Sequence, residues 1–248
     1  MKWPSVFVCC MVVDLAFGQS AIGLRVGQTD VRFFTPNDKD LYYADYAVTA
    51  SPYIGISWSL KGADGNLIAC ALLRDDLDFR YDARQFITNA SFANVSQHQL
   101  TRYTIKGARL WNVASFGRAA LYLGPGFGLT ATQVHSSQGH GFDIRLLQWT
   151  DSAGNVFNYP GPVYWAYEGR KPEAFHPVYL SGSLVMELQV DLSHRWRLGF
   201  GGGVELLLTP WVSEESVRFT SSRTLEGNVG VYYRVVRRTC GQLPPYRS

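Results

Sequence analysis

The sequence predicts an all-β fold, an eight-stranded antiparallel up-and-down transmembrane β-barrel. Residues 178–192 and 196–210 flank a short turn, and both alternate apolar and polar side chains with the period of two that strands show. Both are longer than the roughly 5–6 residues usual in soluble strands, and they reach the about 9–11 residues that cross a membrane. Their polar faces carry whole charges, which fit the polar interior of a barrel surrounded by lipid.

Six further segments repeat this alternation and bring the predicted strand count to eight. In chain order they cover residues 21–33, 46–60, 67–81, 100–113, 119–134 and 224–236. Long polar connections near 34–45, 82–99, 135–176 and 211–223 alternate with short ones at 61–65, 112–118 and 193–195. An even strand count with one tight end and one long-looped end is typical of outer-membrane barrels, and it places both termini at the periplasmic end.

The apolar parity of each strand is assigned to lipid and the polar parity to the interior. Between residues 67 and 81 this assignment sends one parity outward, with Asp75 as an interruption: Leu67, Ala69, Ala71, Leu73, Leu77 and Phe79. In residues 100–113, Arg109 falls on the apolar parity, which predicts a bulge near Gly107. Five aromatic residues near strand ends are predicted to form the interfacial girdles: Trp58, Trp111, Trp196, Trp211 and Tyr233.

The same assignment predicts a charged cluster inside the barrel. Its members are Arg25, Arg74, Asp76, Asp78, Glu187, Asp191, Arg197, Glu205, Glu226 and Arg234. An eight-stranded barrel is only just wide enough for side chains to fill it. We therefore expect arginines and carboxylates to pair across a filled, non-conducting interior.

The ends of the chain are predicted to lie outside the barrel domain of residues 19–236. Residues 1–18 form a mainly apolar run after Lys2 and end on Ala16-Phe17-Gly18, which is typical of a signal peptide and its cleavage site. Residues 237–248 are predicted to be a periplasmic tail. The net charge of +3 is small and unclustered, so it does not indicate a nucleic-acid partner.

Two cysteines remain after removal of the signal peptide. Cys70 is assigned to the inward parity near the periplasmic end, and Cys240 follows the last strand at the same end. An oxidising compartment permits a disulfide between them. The alternative is two unpaired thiols, since their strands are not neighbours in an up-and-down barrel and a bridge requires Cα atoms within about 7 Å.

A soluble lipocalin-like barrel is an alternative with the same strand order. It would place the apolar parity inside, around an apolar ligand, and the charged rows outside. Strand length, alternating loop lengths and the aromatic residues near strand ends favour the membrane.

The order of these parts resembles the small outer-membrane β-barrel family of Gram-negative bacteria, the OmpA-barrel and OmpX-like group. The segments that carry the resemblance are residues 22–27 (IGLRVG), 103–106 (YTIK), 123–128 (LGPGFG) and 227–233 (GNVGVYY). The resemblance implies an integral outer-membrane barrel in contact with membrane lipid, without implying one activity. Many members end on a strand with a terminal aromatic residue, whereas here residues 237–248 follow the last strand.

Candidate chemistry is sparse. The glycines of residues 124–128 and 201–203 lie inside predicted strands, whereas a phosphate-binding loop needs a strand that enters a helix. Some small barrels that modify membrane lipid carry a His/Ser or His/Asp/Ser set at their outer rim. The loop 135–176 contains residues of these types: His135, Ser136, Ser137, His140 and Asp143. No orienting partner or third metal ligand can be assigned, so we predict no catalytic residue, metal or cofactor.

Three functions follow as hypotheses. The first is a structural or interaction barrel with a surface or periplasmic protein partner. The second is an enzyme that acts on outer-membrane lipid, and the third is the soluble ligand-binding barrel. The aromatic stretch 163–167 is a candidate contact for a partner or a surface glycan.

Overall fold

The computed structural model describes residues 19–34, 43–48, 51–62, 64–85, 92–211 and 221–235. The strands are β1 Gln19–Phe34, β2 Tyr43–Val48, β3 Ser51–Lys61, β4 Leu67–Gln85, β5 Phe92–Phe116, β6 Ala119–Thr150, β7 Val156–Gly169, β8 Val178–Asp191, β9 Trp196–Leu207 and β10 Ser221–Val235. A 3₁₀ turn covers Pro172–Ala174. In this part of the chain, no helix is long and apolar enough to cross a membrane.

Eight strands close into one antiparallel barrel, as the sequence predicted. The order around the wall is β1, β3, β4, β5, β6, β8, β9 and β10, and β10 pairs with β1 to complete the circle. β2 pairs with the far half of β4, beyond the part that pairs with β3. β7 pairs with β6.

Short turns gather at the barrel end where β1 begins and β10 ends. They join β3 to β4, β5 to β6 and β8 to β9. The β5–β6 turn contains Gly117 with φ of 58°, and the β3–β4 turn contains Gly65 with φ of 80°. Both values lie in the left-handed region, which glycine adopts without steric cost. We refer to this end as the short-turn end.

An apolar band surrounds the outside of the barrel. On β1, Leu24 and Val26 are 62% and 53% exposed, whereas Arg25 between them is 8% exposed. The same facing recurs around the wall, with outward Ile54, Ile56, Ile68, Leu72, Ile105, Leu123, Phe127, Leu184, Met186, Phe200, Val204, Val229 and Val231. A continuous exposed apolar surface of this extent indicates contact with membrane lipid. This facing is the opposite of the one that the soluble lipocalin-like alternative requires.

The predicted facing of β4 is wrong. Arg74, Asp76 and Asp78 lie on the outside, whereas Leu73 and Phe79 point inward. Both parities of β4 are apolar up to residue 73, so Ile68 and Leu72 face the lipid equally well. Beyond the apolar band the outward residues meet water, and charges are stable there.

On β4, Arg74 marks the upper edge of the apolar band, by which we mean the edge farther from the short-turn end. It pairs across the strands with Tyr103, and both side chains point outward. Toward the short-turn end the next outward residues are Leu72 and Ile105, and in the other direction they are Asp76 and Thr101.

The predicted loop 135–176 is largely a β-hairpin. β6 continues to Thr150 and returns as β7. β4, β5, β6 and β7 thereby form a sheet that projects beyond the barrel, and we call it the outer sheet. Sequence alternation failed here because no lipid face requires an apolar parity outside the membrane.

Two smaller predictions also need correction. Gly107 pairs regularly with Phe127, and the register shifts of the β5–β6 pairing lie instead between Gln99 and Leu100, where His135 of β6 is the extra residue, and between Asn112 and Ala114. Trp211 is not a girdle residue, since it is 2% exposed and lies inside the barrel mouth. The girdle candidates Trp111, Trp196 and Tyr233 are exposed on the outside, and Trp58 is half-buried there.

Candidate functional site: the barrel interior and its mouth

The interior contains layers of paired charges, beginning with Arg25 on β1. Its guanidinium donates a hydrogen bond of 2.8 Å to Glu187 on β8 and one of 2.9 Å to the Tyr232 hydroxyl on β10. The Gln189 amide donates to the other Glu187 oxygen at 2.8 Å. Because side chains of a strand alternate between its two faces, Arg25, Glu187, Gln189 and Tyr232 all point into the lumen.

A second layer closes the short-turn end. Asp191 accepts a hydrogen bond of 2.7 Å from Arg197 and forms an ion pair with Arg234. Arg197 also donates to the Gln189 side chain at the short distance of 2.5 Å. This layer therefore shares Gln189 with the Arg25 layer above it.

Lys106 holds the centre of the lumen. Its ammonium lies 2.6 Å from Glu205 and 2.5 Å from Glu226. Tyr53 donates its hydroxyl proton to the other oxygen of Glu226. One lysine therefore links carboxylates from two adjacent strands, β9 and β10.

Arg102 forms the layer nearest the mouth. It pairs with its cross-strand neighbour Asp75 and donates to the Tyr179 hydroxyl at 3.2 Å. Its guanidinium also lies 5.5 Å from the centre of the Trp211 ring, a cation–π contact. The sequence prediction missed Arg102 and treated Asp75 as a fault in an apolar row. The sequence carries a signal for both residues. Asp75 is the single charged side chain among the odd-numbered residues 67–79, and Arg102 is the single formally charged one among the even-numbered residues 94–104.

The described interior is electrically balanced. Ion pairs join five cationic side chains to five carboxylates: Arg25, Arg102, Lys106, Arg197 and Arg234 with Asp75, Glu187, Asp191, Glu205 and Glu226. Two cavities beside these pairs measure about 40 and 20 Å³. Each of these volumes is on the scale of one or a few water molecules. Of the predicted cluster, Arg74, Asp76 and Asp78 do not take part.

An apolar cluster fills the mouth above the Arg102 layer. Phe175, which follows the 3₁₀ turn, packs edge-on against Phe79 at 5.5 Å and lies 5.7 Å from Trp211 between ring centres. The remaining buried members of this mouth cluster are Val31, Leu77, Leu100, Val134, Ala174 and Tyr179. Segments after β7 and after β9 therefore fold back over the lumen.

His98 lies in this mouth cluster, on the part of β5 beyond the apolar band. Its ring packs edge-on against Phe175 at 5.0 Å, and Nδ1 lies 2.8 Å from the Ser137 hydroxyl. Burial, with the charge of Lys171 nearby, lowers the pKa of His98 to about 4. The imidazole is therefore neutral at pH 7.

The His/Ser set of residues 135–143 does not converge on one point. His135 Nε2 contacts Thr101 at 2.6 Å, and Thr101 in turn donates to Asp76 on the outside of the barrel. Ser137 instead contacts His98 in the mouth. The Thr101 bond, together with Arg74, lowers the pKa of Asp76.

Ser136 and His140 take part in neither contact. Ser136 donates to Gln99 at 2.9 Å, and His140 is exposed. The side chain of Asp143 lies outside the described structure. Among the described side chains, no group of three His, Cys, Asp or Glu residues is arranged to hold a metal ion.

Cys70 lies on the outward parity of β4, between Ile68 and Leu72, and not on the inward parity that the sequence predicted. It pairs with Trp58 on β3. Cys240, the signal-peptide segment 1–18 and the tail 237–248 lie outside the described residues.

No family model matches the chain, and no curated protein matches it in sequence. Several solved structures of outer-membrane barrels are similar to it in fold. Neisserial surface protein A is 11% identical, with 87% of this chain and 98% of that chain covered and a TM-score of 0.47. The attachment invasion locus protein Ail of Yersinia pestis, solved with the heparin analogue sucrose octasulfate, is 8% identical over 88% and 99%, with a TM-score of 0.41.

OprG of Pseudomonas aeruginosa, an outer-membrane protein, is a third similar structure. It is 9% identical, covers 89% of this chain and 97% of its own, and has a TM-score of 0.37. These likenesses concern the arrangement of strands alone. The fold itself is established by the closed strand pairing and the apolar outer band described above.

Proposed function

We propose that this chain is a non-conducting barrel of the Gram-negative outer membrane that holds its outer sheet at the cell surface for interaction with other molecules. Residues 19–236 would form the barrel domain, with a cleaved signal peptide before it and a periplasmic tail after it. The proposal includes no enzymatic activity. A protein partner would bind at the surface or in the periplasm.

The observation that carries this proposal is the paired, tightly packed interior. A conducting pore needs a continuous column of water, whereas the cavities beside Lys106 and Arg102 measure about 40 and 20 Å³. Each buried charge has an opposite charge within contact distance, so little drives water inward to solvate it. The mouth cluster adds an apolar layer across the exit.

The membrane location is supported by the two faces of the wall. A closed barrel satisfies all backbone hydrogen bonds between strands, which is a condition for crossing lipid. The short turns at one end and the projecting outer sheet at the other match the periplasmic and outer ends of such barrels. The separated contacts of His135, Ser136 and Ser137 support a non-enzymatic role.

Conductance of the purified protein in a planar lipid bilayer tests the proposal. We expect no single-channel steps from the wild type. A triple variant, Lys106→Ala, Glu205→Ala and Glu226→Ala, removes the central layer without leaving a lone charge, and it should show more frequent or larger current events. Ser115→Ala at the short-turn end is the control. Regular steps from wild-type protein would show that the interior conducts.

A further inference from the structure

One continuous row of polar side chains crosses the outward face of the outer sheet. Arg80 on β4 pairs with Gln97 on β5, Gln97 with Gln138 on β6, and Gln138 with Glu168 on β7. All four side chains are exposed. Three steps between neighbouring strands make this row about 14 Å long. We call it the amide row.

The surface along the amide row is concave. Two adjoining clefts of about 660 and 300 Å³ share Gln97, Gln138 and Glu168. Val95 and Ala166 contribute apolar surface to the larger cleft, and Gln99 and Ser136 line the smaller one. The sheet thus provides a shallow groove with polar groups along its length and small apolar patches between them.

The chemistry of the groove suits a ligand rich in hydroxyl groups. The Gln138 amide donates to the Gln97 carbonyl at 3.2 Å, which leaves further donor and acceptor capacity on both amides. A sugar hydroxyl also donates and accepts, and the C–H face of a sugar ring can rest on Val95 and Ala166. Arg80 and Glu168 have opposite charges at the two ends of the row, and Arg170 adds one positive charge in the smaller cleft, so the groove carries only a small net charge.

The position of the groove indicates where such a ligand comes from. Gln97 and Tyr103 lie on the same outward parity of β5, six residues apart, which is about 20 Å along a strand. Tyr103 marks the upper edge of the apolar band, next to Arg74. The groove therefore continues the lipid-facing side of the wall upward and opens sideways, toward the head groups of the outer leaflet.

We propose that this groove binds the saccharide portion of a glycolipid anchored in the outer leaflet of the same membrane. Anchoring favours this source over a soluble glycan, since a lipid held beside the band presents its head group to the groove at high local concentration. The inference rests on the proposed surface position of the outer sheet.

The test uses full-length mature protein in nanodiscs, with side-chain amide NMR signals of Gln97 and Gln138 as the readout. One preparation contains lipopolysaccharide with its core saccharide, a second contains lipid A without that saccharide, and a third receives the released core saccharide in solution. We expect the two amide signals to shift with the first and not with the second. The released saccharide should bind at least roughly tenfold more weakly than the anchored form.

Matched variants connect the shifts to the groove. The double variant Gln97→Leu with Gln138→Leu should bind lipopolysaccharide roughly tenfold more weakly than the wild type, as expected for loss of about two hydrogen bonds. The control is Gln148→Leu, an exposed glutamine farther along β6 and outside both clefts. The inference would be overturned if the double variant bound lipopolysaccharide as tightly as the wild type does. It would also be overturned if lipid A alone shifted the two amide signals as much as lipopolysaccharide does.

A separate measurement distinguishes this inference from the proposed function. Gln148→Cys in intact cells should react with a membrane-impermeant maleimide, with the wild type as background. Labelling without saccharide-dependent shifts rejects the glycolipid inference and leaves the surface position intact. No labelling in intact cells, with labelling after lysis, rejects the surface position and with it both proposals.

Discussion

Asp75 and Arg102 are direct cross-strand partners on β4 and β5, and both are buried inside the barrel as an ion pair. Arg102 extends the pair to Tyr179 on β8, so one guanidinium connects three strands near the mouth. Replacing one partner leaves the other charge buried without its counter-ion, which is costly even where the intact pair contributes little.

We expect Arg102→Leu alone to lower the free energy of unfolding by about 3–5 kcal/mol. The double variant Asp75→Leu with Arg102→Leu should lose much less than the sum of the two single changes. Urea unfolding of the four proteins in lipid vesicles measures both effects. Arg74→Ala removes the exposed pair with Asp76 and should cost about 0–1 kcal/mol. Additive losses would mean that the buried pair is not energetically coupled.

The strands and most of the facing could be predicted because lipid and lumen impose opposite polarities on alternate residues. Arg25 and Glu187 were predictable, since each stands on the polar parity of a clean alternating strand. Their pairing was not, because the two residues are 162 positions apart and their contact depends on how the barrel closes.

Arg102 was missed although the alternation of β5 indicates its inward facing. It shares the even-numbered, inward parity of β5 with His98, Thr104 and Lys106. The extra residue of the β5–β6 register shift is His135 on β6, so the facing reverses along β6 and not along β5. β7 was missed because it lies beyond the lipid, where Tyr164 is exposed on one face and Trp165 partly covered on the other. Apolar residues on both parities give no alternation to detect.

Leu184 and Ser183 on β8 face opposite sides of the barrel wall, so an arginine at each position should affect membrane insertion differently. Leu184 is 55% exposed within the apolar band, so Leu184→Arg places a charge in lipid and should cost about 2–4 kcal/mol near the midplane. Its neighbour Ser183 points inward, and Ser183→Arg should be better tolerated or fail through crowding of the lumen. Insertion into vesicles, followed by the heat-dependent gel shift of folded barrels, measures the difference.

The control for this comparison is Tyr164→Arg. Tyr164 is 75% exposed on β7, outside the apolar band, and an arginine there stays in water. It should insert like the wild type. Equal insertion of Leu184→Arg and Tyr164→Arg would show that residue 184 does not face lipid.

The mouth cluster should lose stability as the pH falls. The pKa of His98 is about 4 in the closed mouth and about 6.5 when the ring is in water. Between these values the open form binds a proton that the closed form does not, so stability decreases from pH 6.5 down to pH 4. Amide hydrogen exchange at Leu100 and Val134 should be faster at pH 4.5 than at pH 7.5, after correction for intrinsic rates.

His98→Gln provides the control for this prediction. A glutamine keeps a polar contact for Ser137 without titrating, so the pH dependence of the corrected exchange rates should disappear. NMR titration of the wild-type ring should give a midpoint near 4. A midpoint near 6.5 would mean that the ring is solvated and that the mouth is open.

The position of Cys70 changes the expected thiol chemistry. Cys70 lies between the outward residues Ile68 and Leu72, so it faces lipid. A tail that follows β10 could enter the lumen at the short-turn end, and Cys70 points away from that lumen. A disulfide needs Cα atoms within about 7 Å and Cβ atoms that point toward each other. We therefore expect no bridge to Cys240. Mass spectrometry of the unreduced, denatured mature protein after maleimide treatment should show two labels per chain, and Cys70→Ser should show one. A monomeric band that takes up no label before reduction would establish the bridge and would require the tail to reach the outer face of β4.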